Sequence, residues 1–173
     1  VALVDRGSWA EGFAITVNCY EKKPAEYKYE TAFAYRAGSA TCFIGSAWID
    51  TNRWGWTNGP LAPGNYTFDL YAGAGRCALS SGRKVGTLTL NYDGSTAKVG
   101  FTMLPGYVMN ETHLYVGSEP LARDVNNEYT VAPGQYPVKH DLTAATTDQY
   151  TVTGLSGSVY LVAHANVGLP QSQ

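Results

Sequence analysis

The chain has little charge for its length. Of its 173 residues only 15% are Asp, Glu, Lys or Arg, and the formal net charge is −2. Without a basic excess there is no field to hold nucleic acid or an anionic membrane. No apolar run approaches the roughly 20 residues that a membrane-spanning helix needs, so the chain reads as not transmembrane. Catalytic signatures are lacking too. There is no G-x-S-x-G elbow, and no glycine-rich loop leads into a helix with a placed lysine. The carboxylates at Glu111, Glu119, Asp124 and Glu128 form no marked acid–base pair. The expectation is a protein that is not an enzyme.

Cysteine is scarce. Cys19, Cys42 and Cys77 show no C-x-x-C spacing and none neighbours a histidine, which argues against a zinc ribbon or a redox motif. One disulfide and one remaining thiol is the natural arithmetic of a secreted chain, and Cys42–Cys77 is the favoured pair. Cys19 is then buried or bonded to another chain; three free cysteines are the alternative. The chain opens with "VALVD", without an initiator Met or a leader pattern, which suits a mature exported protein. N-x-T sequons at Asn65 and Asn110 matter only in a glycosylating host.

Helix signals are also nearly missing. "PAEYKYETAFAYRAG" has Pro24 and Gly38 at its ends, as a helix would. Its pattern has period two instead: Tyr27, Tyr29, Thr31, Phe33 and Tyr35 alternate with Lys28, Glu30, Ala32, Ala34 and Arg36. That predicts a half-buried strand. What the sequence does have is 13 Tyr, 4 Trp, 5 Phe and 19 Gly, a composition of strands separated by turns. "GFAITVNCY", "YTFDLYAG", "ETHLYVG", "YPVKHDL", "QYTVTGL" and "SVYLVAHANV" all read as strands. The clearest element is "VGTLTLNYDGSTAKVGFTM", a hairpin turning at Asp93-Gly94. It sets Leu88, Leu90 and Tyr92 against Val99, Phe101 and Met103. About ten short strands predict an all-β antiparallel sandwich, immunoglobulin-like or jelly-roll-like. "SEPLARDVNNEY" reads as a long polar loop. Residues 30–173 form the domain and residues 1–29 an N-terminal extension.

The motifs "RWGWTNG", "APGNYTFDLYAGAG", "ETHLYVG", "APGQYP" and "VAHA", in this order over about residues 30–167, resemble a family of secreted bacterial β-rich domains without an assigned activity. The resemblance implies export, an extracellular β domain and a bacterial source. It implies no mechanism.

Three sets of residues are functional candidates. The first is His113, His140 and His164, the only histidines, all on strand-like stretches. On neighbouring strands His113 and His164 would meet, with Glu111 on the face of His113. Three imidazoles and a carboxylate suit zinc or copper, with Asp141 supporting a ligand. A polar network that fixes register is the plainer reading, and unrelated surface positions are the third. The second set is Trp54 and Trp56, two residues apart, either a sugar-stacking platform or core packing. The third is the apolar start Val1, Ala2, Leu3 and Val4, which either pairs at home or adds to an exposed sheet edge of another copy and builds a homopolymer. Low charge and abundant tyrosine fit the latter. The leading expectation is an extracellular filament or matrix subunit acting by strand donation and tyrosine-rich contacts. The alternative is a secreted module for a glycan or a metal ion.

Overall fold

The computed structural model describes residues 26–171. The chain is all-β. Its strands are β1 (Tyr27–Tyr35), β2 (Ala40–Cys42), β3 (Trp56–Leu61), β4 (Gly64–Ala72), β5 (Arg83–Tyr92), β6 (Ala97–Met103), β7 (Val108–Gly117), β8 (Ala122–Arg123), β9 (Tyr129–Thr130), β10 (Val138–Ala145), β11 (Thr147–Val152) and β12 (Val159–Pro170). All pairings are antiparallel. Among the described residues the only helical pieces are short 3-10 turns at Gly75–Cys77, Leu79–Ser81 and Pro133–Gln135. Ten strands belong to one sheet, in the order β10-β7-β12-β1-β4-β5-β6-β11, with β3 joined to β12 and β2 to β3. β8 and β9 make a separate small hairpin.

The two layers are one sheet rolled upon itself. Tyr150 of β11 reaches across to β7 and donates its hydroxyl to the carbonyl of Thr112 at 3.1 Å. The inward face is apolar at every second position. The β5–β6 hairpin forms as its pattern predicts, with Leu88 opposite Phe101 and Leu90 opposite Val99. These side chains close on Leu70, Leu114, Leu161 and Ala163 inside the roll.

A second core lies on the outer face. Phe33, Phe43, Trp56, Leu121, Val131, Tyr136 and Val162 pack together there. The segments 36–55, 73–82 and 118–137 supply the cover, and the Cys42–Cys77 disulfide ties two of them, with Cα atoms 6.1 Å apart. This corrects two expectations. β1 is not half-buried at its centre: Ala32 and Ala34 face the roll, Phe33 faces the second core, and all three are buried. Small alanines let β1 sit close inside while its aromatics fill the outer core. Most of the described tyrosines are half-buried. Among those described only Tyr29 is exposed, because two cores accept what one would not. The stretch 118–129, expected as a polar loop, contributes Leu121 and Ala122 to this core.

Candidate functional site

Register builds the site. Residues directly opposite in an antiparallel pair point to the same face. Lys139 of β10 lies opposite His113 of β7, His113 opposite His164 of β12, His164 opposite Phe33 of β1, and Phe33 opposite Tyr71 of β4. One row thus crosses five strands on the outer face. Within it the two imidazoles touch, with Nδ1 of His113 3.0 Å from Nδ1 of His164. Nε2 of His113 lies 3.1 Å from Oε1 of Glu111. His113 is 4% exposed and His164 7%.

The carboxylate sets the polarity of this chain. Burial lowers the pKa of His113 against the opposing pull of Glu111, and lowers that of His164 to about 3, so both rings are neutral at pH 7. A carboxylate only accepts, so the proton of His113 sits on Nε2 and its Nδ1 accepts. His164 therefore donates from Nδ1. The Nε2 of His164 is left as an acceptor without a partner among the described residues.

His164 lines a cavity of about 270 Å³, together with Thr31, Phe33, Arg53, Trp54, Val131 and Pro133. A larger groove of about 600 Å³ adjoins it, sharing Thr31 and Trp54 and adding Lys28, Glu30, Ser81, Arg83 and Gln171 among its walls. Trp54 thus stands at the junction of an apolar cavity and a polar groove.

The two tryptophans do not form one platform. β3 starts at Trp56, and Trp54 precedes it. Gly55 between them has φ of 147°, and a Cβ there would lie 2.4 Å from the Phe43 ring. The chain turns at this glycine, and the indoles meet edge-on, with centroids 5.6 Å apart at 74°. Trp56 is 3% exposed and packs on Tyr35 and Tyr71. Only Trp54 is placed to meet a ligand.

His140 does not join the other histidines. It lies opposite Thr112, on the other face of the sheet from His113. There its Nδ1 meets Asp148 of β11 at 2.9 Å, and its ring stacks on Tyr150 with centroids 4.0 Å apart. Asp141, expected to support a ligand, lies opposite Glu111 on β7 rather than beside His140's partners. The set of His113, His140, His164 and Glu111 is therefore not assembled. Among the described residues no group of three or more His, Cys, Asp or Glu is arranged to hold a metal ion. Zinc or copper would need donors beyond the facing Nδ1 pair.

Val1, Ala2, Leu3, Val4 and Cys19 lie outside the described residues. The sequence reading missed Arg53, Phe33 and Asp148 as site residues. Arg53 adjoins Trp54 in "RWGWTNG", and that adjacency was the only signal for it. Comparison of the chain with family models, with curated proteins and with solved structures gives no match to any of them.

Proposed function

We propose that this protein is a non-enzymatic, extracellular binding module for a glycan. The observation that carries this reading is Trp54 at the meeting of the cavity and the groove. An indole offers a broad apolar face to a sugar ring, and polar groups on either side take its hydroxyls. Thr31, Ser81 and Gln171 supply such groups, and His164 supplies an acceptor. The Cys42–Cys77 disulfide supports an oxidising compartment outside the cytoplasm. Trp54→Ala is expected to abolish both binding and the ligand-induced change in tryptophan fluorescence across a panel of oligosaccharides. Retained binding in that variant would place the ligand elsewhere.

A second reading is the self-assembling filament or matrix subunit. It is favoured by one observation: among the described residues β10 pairs only with β7 and β11 only with β6, so each has a backbone edge without a ladder partner there. Such edges accept an added strand. Negative-stain imaging with and without residues 1–10 tests it. Filaments that vanish on truncation support strand donation; dispersed particles in both samples sink it.

A further inference from the structure

The groove is charged more selectively than the chain. Lys28 is bound to Glu30 at 3.0 Å, so these two walls cancel. Arg53, on the cavity side of Trp54, and Arg83, on the groove side, have no carboxylate within ion-pair distance among the described residues. Both are exposed. Two guanidinium groups with no carboxylate partner among the described residues thus line the two hollows that share Trp54, in a protein of net charge −2. Guanidinium binds carboxylate through two parallel N–H donors with charge assistance, which a neutral sugar lacks.

Between them lies a contact of the opposite kind. His164 has its Nδ1 engaged by His113, and its Nε2 has no partner among the described residues. The ring is nine-tenths buried, and it lines an open cavity where its free nitrogen offers an acceptor to a ligand hydroxyl. Glu111 holds that polarity from the far end of the chain. A hydroxyl satisfies it; a carboxylate does not. The two kinds of contact together specify a ligand with hydroxyls and carboxylates on neighbouring rings.

We infer that the groove binds an acidic glycan, with a sugar ring on Trp54, a ring hydroxyl donating to Nε2 of His164, and uronate carboxylates on Arg53 and Arg83. This inference rests on the glycan reading above and narrows its ligand class.

The test is calorimetry at low salt with oligogalacturonate and with the same oligosaccharide fully methyl-esterified, alongside uncharged oligosaccharides. The ester keeps the ring hydroxyls and removes the charge. The acid form is expected to bind at least tenfold tighter than the ester. Arg53→Gln and Arg83→Gln, both on exposed side chains, are each expected to shrink that difference and together to erase it, with the acid form losing more affinity than the ester. His164→Phe keeps the ring volume and removes the acceptor, so it is expected to weaken the acid and the ester alike. Equal affinity for acid and ester, with both lost in Trp54→Ala, overturns the acidic inference and leaves the glycan reading standing. No binding of any charged or neutral oligosaccharide overturns the glycan reading and this inference with it.

Discussion

Asn58 shows how much a single polar side chain holds in place. It is fully buried on β3. Its Oδ1 accepts from the backbone N–H of Arg36, and its Nδ2 donates to the carbonyl of Ala34, both at 3.0 Å. Asn58→Leu fits the volume but leaves that N–H and that carbonyl without partners. The expected loss is about 3 kcal/mol, read from the urea midpoint; a loss below about 0.5 kcal/mol would mean that water replaces the amide. The histidine pair makes a different residue-level prediction. An unfolded histidine titrates near 6.5, whereas His164 in the fold titrates at about 3, with His113 also lowered, in both cases chiefly by burial. Above pH 6.5 neither state is charged and stability is undiminished. As pH falls from 6.5 toward 3 the unfolded chain takes up protons that the fold refuses. Stability then drops by about 1.4 kcal/mol per pH unit for each histidine that stays neutral, and levels off below the folded pKa. Chemical denaturation between pH 7 and 4 reads this slope, and His164→Phe is expected to flatten it. An unchanged slope would show that carboxylates alone govern the acid limb.

At the scale of elements, the roll closes through side chains rather than a ladder. Thr112 of β7 donates its hydroxyl to Oδ2 of Asp148 at 2.6 Å and sits 2.7 Å from the Tyr150 hydroxyl. His140 of β10 holds the other side of Asp148. Burial raises the Tyr150 phenol to about 12, so it stays a neutral donor here. Thr112→Val keeps the shape and removes the central hydroxyl. Its expected effect is a loss of about 1–2 kcal/mol. Amide exchange is expected to rise in β10 and β11 before it rises in β5 or β12, because only the former depend on the seam. Uniform exchange across the sheet would show that the seam is not a separate unit. This cluster also explains the misplacement of His140 in the sequence reading. Val138, His140 and Leu142 share one face of β10, and Lys139 the other. Alternation was legible, but which face joins which in the next strand was not. A register shift of one residue exchanges them, and nothing local to "YPVKHDL" sets that register.

At the scale of the molecule, the fold divides into a rolled sheet that carries its own core and an outer cover that carries the candidate site. The Cys42–Cys77 bond closes a span of 35 residues across that cover. Replacing both cysteines with serine is expected to lower stability by about 3–4 kcal/mol through a freer unfolded chain. It is also expected to weaken ligand binding at Trp54, which lies on one of the two tied segments. Intact binding in the double variant would show that the second core alone shapes the groove. By itself the sequence determined the all-β class, most strand positions and the β5–β6 hairpin with its facing side chains, and it favoured Cys42–Cys77 as the disulfide. Each of these follows from local alternation, turn chemistry or cysteine spacing, all of which a chain displays along its length. Only the tertiary structure decided that the layers are one rolled sheet, that His140 joins Asp148 instead of the other histidines, that Trp56 is buried while Trp54 stands at the groove, and that Arg53 and Arg83 line the two hollows beside it. These depend on register between strands far apart in the chain and on loops folding over the outer face. The free energy that settles them comes from burial of surfaces that do not meet until the sheet has closed.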